Sequence, residues 1–210
     1  MPDDPRRAVI AAARALQGAG LNRGAAGNVS LRYGEGFYIT PTGMPYAGLA
    51  ADDIPWLALD GARQGRRKPS SEWRMHRDLY RSRPATGAVL HAHSPFAVSL
   101  ACLRRDIPSF HYMIARFGGD NIRCADYALF GSEELSAAAL AAMAGRQGCL
   151  LANHGLLVTA RDLDEALALA IELEELCEQY WRACQLGQPV LLGEADMAAV
   201  LEKFAGYGQQ

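Results

Sequence analysis

Lysine is nearly absent: among 210 residues only Lys68 and Lys203 carry an ammonium group, one in a basic run and one near the C-terminus. Neither lies in an apolar segment that would depress its pKa, so chemistry through a lysine Schiff base is disfavoured. Net charge is lacking too. Twenty-one Lys plus Arg face 23 Asp plus Glu, and no field of one sign draws the chain to nucleic acid or an anionic membrane. The one basic run, Arg63 to Lys68, reads as a solvated hairpin tip rather than a nucleic-acid patch. There is no C-x-x-C pair. The five cysteines, an odd number, read as buried thiols of a reducing cytoplasm. No apolar stretch approaches the roughly 20 residues that span a bilayer, and Met1-Pro-Asp-Asp-Pro5 lacks the apolar core of a signal peptide. With half its residues hydrophobic, the chain can bury a sizeable core. The expectation is one soluble cytoplasmic domain over residues 1–210, without nucleic-acid or membrane partners.

Along the chain, strands and helices interleave without a clear βαβ rhythm, which predicts an α/β fold, a mixed sheet covered by helices. Asp4 and Pro5 open a helix over 5–17. Strands are expected at Val29–Tyr33, Phe37–Thr40, Trp56–Leu59, Ala88–His93, Cys149–Asn153 and Leu156–Thr159. A helix should start at Ser70 or Ser71 and stop before Pro84, and another should follow His93 through about Leu103. Ser132 caps a helix with Glu133 and Glu134 in its first turn. The longest helix runs from Asp162 to about Leu186, with Leu163, Leu167, Ala170, Leu173, Cys177 and Tyr180 at three- and four-residue steps.

Three histidines stand out. In a strand, residues i and i+2 share a face, so His91 and His93 can reach one ion together. They end an apolar strand where a helix follows, a favourable place for a site. Asn153-His154-Gly155 interrupts an apolar stretch from Leu150 to Val158. An isolated histidine of this kind is more often a satisfied core residue, but the three together favour one divalent metal, zinc first, with Mn2+ or Co2+ as alternatives. Three neutral imidazoles leave the full charge on the ion and keep positions open for substrate. His76 and His111 have no such partners and read as structural.

Other turns carry weaker signals. Ser70 and Ser71, beside orphan N–H groups at a helix start, can hold a phosphate or simply cap. Glu72 would then stand in the first helical turn, ordinarily a surface acid. Gly27-Asn28 and Thr42-Gly43 are each ordinary turn chemistry.

Taken in order, the segments Gly27-Asn-Val-Ser30, Thr40-Pro-Thr-Gly43, Pro69-Ser-Ser-Glu-Trp-Arg74, His91-Ala-His93, His111-Tyr-Met-Ile114, Asn153-His-Gly155, Glu202-Lys-Phe204 and Tyr207-Gly208 resemble the class II aldolase/adducin family over nearly the whole chain. The resemblance implies a three-layer α/β/α fold on a mainly antiparallel sheet, and a homotetramer with active sites between subunits. It implies that His91, His93 and His154 bind zinc and that Glu72 is the acid/base beside it. Asn28, Thr42, Gly43, Ser70 and Ser71 match the substrate phosphate site. Tyr112 matches a tyrosine crossing from a neighbouring subunit. Tyr207 matches another on a C-terminal tail of about residues 200–210, and Phe130 and Phe204 match walls of the aldehyde end.

The reaction so implied is reversible cleavage of a ketose 1-phosphate into dihydroxyacetone phosphate and an aldehyde, the ion stabilising the charge that develops. The ketose would be L-fuculose 1-phosphate or a 5-deoxy or 5-methylthio pentulose 1-phosphate. Rival branches leave marks. The pentulose-5-phosphate 4-epimerases carry aspartate where Glu72 stands, and a decarboxylase branch carries lysine at Ser71. The methylthioribulose-1-phosphate dehydratases keep zinc and a glutamate, and differ by their product. Adducin-like structural members lack the metal site.

Overall fold

Every residue from 88 to 92 is buried in the computed structural model, which describes residues 4–205. That segment is β5 (Ala88–Ala92), in the interior of an eight-stranded sheet. The other strands are β1 (Asn28–Tyr33), β2 (Gly36–Ile39), β3 (Trp56–Ala58), β4 (Arg63–Gln64), β6 (Cys124–Ala125), β7 (Gly148–Leu151) and β8 (Gly155–Ala160). They lie in the order β4-β3-β2-β1-β5-β8-β7-β6. All neighbours are antiparallel except β6 and β7, as expected of a mainly antiparallel sheet.

Six helices accompany the sheet among the described residues: α1 (Pro5–Gly18), α2 (Trp73–Ser82), α3 (Pro95–Ala101), α4 (Glu133–Ala142), α5 (Leu163–Leu186) and α6 (Glu194–Ala205). Side-chain alternation along β5 sorts them into layers. Ala88, Leu90 and Ala92 enter a core shared with Leu16 of α1, Ala97 of α3 and Leu173 of α5. Val89 enters a second core with Leu79 of α2 and Leu135 of α4. The result is three layers, α/β/α. Burial on both faces explains why β5 reads as a continuous apolar run. Each fully buried Leu in these cores contributes roughly 1.5–3 kcal/mol.

Several expectations need correction. Helix α2 begins at Trp73, not at Ser70 or Ser71, and Glu72 is its N-cap residue. The preceding backbone is engaged elsewhere: Thr42 N–H donates to Lys68 O at 3.1 Å and Ser70 N–H to Thr40 O at 3.0 Å. Helix α3 ends at Ala101. The basic run is exposed throughout, as expected, but it is not a hairpin tip. Arg63 and Gln64 form edge strand β4, while Arg66 and Arg67 both bond Asp53 Oδ1 at 2.8 Å. Those bonds, Arg67 first, lower the buried Asp53 carboxyl to about 2. Of the cysteines only Cys149 and Cys177 are buried; Cys102 and Cys184 are exposed. No described helix is long and apolar enough to cross a membrane.

Candidate active site

The site lies at one end of the central strands. Asn28, the first residue of β1, faces His91 of β5 across the ladder. His93 follows the end of β5, and His154 sits in the turn where Leu151 of β7 pairs with Gly155 of β8. Asn153 takes a left-handed φ of 56° to make that turn, which asparagine tolerates better than most residues. Gly27 must be glycine twice over. Its φ is +70°, and a Cβ there would meet His91 O at 2.5 Å.

Glu72, His91, His93 and His154 bring one donor atom each to within 4.8 Å of one another. His91 Nε2 lies 2.9 Å from His93 Nε2 and 3.3 Å from Glu72 Oε2, and His154 Nε2 lies 3.4 Å from Glu72 Oε1. Donors about 2.0–2.1 Å from a tetrahedral zinc stand about 3.3 Å apart, so the spacing suits one ion. The tautomer agrees: His91 Nδ1–H donates to Leu156 O at 2.8 Å, which turns the Nε2 lone pair toward the cluster. Burial, then the neighbouring His154 and His93, hold His91 well below the ordinary histidine pKa. Burial and His154 lower His93. Both therefore present neutral imidazole. Among the described residues Glu72 Oε1 is buried without a hydrogen-bond partner, which asks for a cation or a proton.

Beside this cluster is a cleft of about 350 Å³, at the small end of ligand sites. Thr42, Gly43, Ser70 and Ser71 line it, as do Asn28, Glu72, His93 and His154. The isolated bridge between Pro41 and Pro69 brings the two turns together, a convergence that no local pattern in the sequence could reveal. Asn28 lines the cleft, but its side chain is already used: Nδ2 donates to Glu72 Oε2 at 2.9 Å and Oδ1 faces His76 Nε2. Phe130 lines the same cleft, with Tyr127 and Asn153.

Tyr112 and Phe204 are elsewhere. Their rings stack at 6.5 Å, and neither lines the cleft. Within one chain the structure therefore separates Phe204 from Phe130, although both are expected at one aldehyde wall. Phe204 lies on α6, whose approach is pinned by two bonds between Ser109 and Leu192. Tyr207 lies outside the described residues. His111 accepts from Met113 N–H at 3.3 Å and caps the turn that carries Tyr112, a structural role as expected.

Sequence reasoning missed three supporting residues. Asn22 Oδ1 accepts from His93 N–H at 2.7 Å. Glu174 on α5 accepts from Ser94 Oγ and from the N–H groups of Phe96 and Ala97 at 2.6–2.8 Å, capping α3 just beyond β5. Its signal was its helical phase, one turn after buried Ala170, inside a row of acids that otherwise reads as solvated. His76 is the third. Burial first, and the repulsion it would meet from a protonated His91 second, lower its pKa to about 3.

That value has a consequence for stability. Below about 6.5 the unfolded chain protonates His76, whereas the folded protein does so only near 3. Between these limits the unfolded state holds more protons, so stability falls as pH falls. Urea unfolding of metal-free protein from about pH 6 to about pH 4 should show His76 contributing a slope of about 1.4 kcal/mol per pH unit. His76→Gln should flatten the curve by that amount; equal slopes would contradict the assignment.

Residues 7–181 match the family described as Class II Aldolase and Adducin N-terminal domain. The chain is 53% identical over 203 residues to a 5-methylthioribulose-1-phosphate/5-deoxyribulose-1-phosphate aldolase of Rhodospirillum rubrum, covering 97% of this chain and 92% of the relative. It is 45% identical over 190 residues to the L-fuculose phosphate aldolase of Escherichia coli K12, covering 90% and 88%. A solved L-fuculose 1-phosphate aldolase superposes with a TM-score of 0.93 at 37% identity, covering 98% of each chain.

Proposed function

As the chain belongs to the class II aldolase and adducin family, we propose that it is a metal-dependent aldehyde-lyase cleaving 5-deoxyribulose 1-phosphate, 5-methylthioribulose 1-phosphate or L-fuculose 1-phosphate. The products are dihydroxyacetone phosphate and a short aldehyde. The observation that carries the reading is the cluster of Glu72 with His91, His93 and His154 at the edge of a cleft lined by hydroxyls. An adducin-like structural role gives no account of four such groups, Glu72 and His91 buried among them, facing one another.

His91, His93 and His154 would hold the ion, zinc by their donor type, with Glu72 beside it. When bound, it supplies Lewis-acid stabilisation of negative charge on the ketone and hydroxyl oxygens of the substrate. Ser70, Ser71, Thr42 and the Gly43 backbone orient the phosphate, which sets the C3–C4 bond near the cluster. As that bond breaks, its electron pair passes to the three-carbon fragment and the C4 hydroxyl proton leaves to Tyr112 acting as the phenolate, which releases it to solvent once the aldehyde departs. Glu72, anchored through Oε2, delivers a proton to C3 from its unpartnered Oε1.

Tyr112 would reach this cleft from another subunit; within its own chain it stacks on Phe204 and is not among the lining residues, which supports the crossing. The pair would cross together in a homotetramer, Phe204 then joining Phe130 at the aldehyde end. Tyr112→Phe should lower kcat with little change in the KM for ketose phosphate, and an active monomer in solution would contradict the crossing.

Phe130 is 62% exposed in the single chain and offers hydrocarbon to the end of the substrate away from the phosphate. Burying a terminal hydroxyl there without a partner costs roughly 1–3 kcal/mol, so a terminal methyl or thioether is preferred. Comparing kcat/KM for a 5-deoxy ketose 1-phosphate with its 5-hydroxy counterpart tests the substrate reading. The methyl-terminated sugar should win by about 10–200-fold, less so in Phe130→Ala; preference for the hydroxylated sugar would refute the apolar wall.

A further inference from the structure

Behind the metal-facing cluster, five polar side chains form one hydrogen-bonded row through the layer between β1 and α2. Oε2 of Glu72 accepts whether or not Oε1 carries the proton it delivers, so Asn28 must present its amide N–H, as the 2.9 Å contact from Nδ2 to Oε2 requires. The carbonyl of Asn28 is thereby turned toward His76 Nε2, which must donate. His76 Nδ1 then carries no proton and accepts from Ser30 Oγ at 2.7 Å. Ser30 Oγ in turn accepts from Tyr80 OH at 2.8 Å. The far end is fixed as well: Arg32 lies 4.8 Å over the Tyr80 ring and donates to Tyr80 O at 2.7 Å. His76, Ser30 and Tyr80 are all essentially inaccessible to solvent.

We propose that His76 is a positioning residue for the reaction: its Nε2–H locks the Asn28 amide so that one N–H is aimed at Glu72 Oε2. The bond from Asn28 is the only hydrogen bond that the Glu72 side chain accepts among the described residues. Without His76 the amide can rotate and offer its oxygen to the carboxylate, which repels it. His76 itself stays neutral at working pH because burial disfavours its cation, so the polarity of the row does not reverse. Spacing in the sequence is consistent with this role. Glu72 and His76 are four residues apart, and Ser30 lies two residues beyond Asn28 on the same face of β1.

The inference rests on the reaction proposed above, and the two fail in different ways. If wild-type protein cleaves no ketose 1-phosphate, the reaction is wrong. If it does, two substitutions interrogate His76. The amide nitrogen of glutamine can replace Nε2 as donor to Asn28, whereas asparagine reaches only the Ser30 side. His76→Asn should lower kcat about 10–100-fold, the cost of removing a partner outside the metal ligands, at unchanged KM and metal content. His76→Gln should retain most of the wild-type kcat. A merely structural histidine would give two variants that differ in Tm but share the wild-type kcat per folded site, and that result overturns the proposal. Should His76→Asn not fold, the wild-type protein supplies the answer. Nuclear magnetic resonance of isotope-labelled histidine nitrogens should find His76 as the Nε2–H tautomer, and an Nδ1–H tautomer overturns the proposal.

Discussion

His93→Ala should lose metal and activity together while the fold survives. His93 sits just past β5, half-exposed to the cleft, and the cores on either face of the sheet do not depend on it. Its removal leaves two histidines and Glu72, too few neutral donors to keep the ion under dialysis. The loss of kcat should exceed the about 10²–10³-fold cost of deleting a single oxyanion donor, because the whole stabilising charge departs. Metal analysis and circular dichroism on the same preparation check this. A folded His93→Ala protein with near wild-type turnover would remove the metal from the reaction.

Glu72→Gln should separate proton transfer from metal binding. The substitution keeps the size of a side chain that is 6% exposed, and its carbonyl oxygen can still accept from Asn28 Nδ2. What it lacks is an atom able to carry the proton. Turnover should drop by about 10²–10⁴-fold, the usual reach of general acid–base catalysis, with about one metal per chain retained on three histidines. Exchange of the dihydroxyacetone phosphate C–H with solvent should collapse in parallel. If exchange continues at the wild-type rate, another group moves that proton.

The three histidines of the cluster were legible in the sequence because each has a local signature, whereas Glu72, near a helix start, reads there as a surface acid. His91 and His93 share a strand face by simple alternation, and His154 breaks an apolar run. Helices α1, α4 and α5 were equally open to reading, since Asp4, Ser132 and Asp162 cap them in the expected way. The start of α2 was not, because what delays it is a pairing with residues 40–42 that lie about 30 positions away. The same non-local pairing assembles the hydroxyl-lined end of the cleft. His76 looked structural for a related reason: its partners, Ser30 and Asn28, come from a strand 46 and 48 residues earlier. Edge strands β4 and β6, two residues each, have no periodicity to detect. The separation of Phe204 from Phe130 follows from where α6 is held, through the bonds between Ser109 and Leu192, a non-local contact that no local pattern encodes.

The most direct test supplies 5-methylthioribulose 1-phosphate to metal-replete protein and follows carbon by nuclear magnetic resonance. Cleavage should yield one dihydroxyacetone phosphate and one methylthio-aldehyde per ketose consumed, stop on chelation and resume on adding zinc. Formation of a diketone with loss of water and no dihydroxyacetone phosphate would make the protein a dehydratase and contradict the aldolase account.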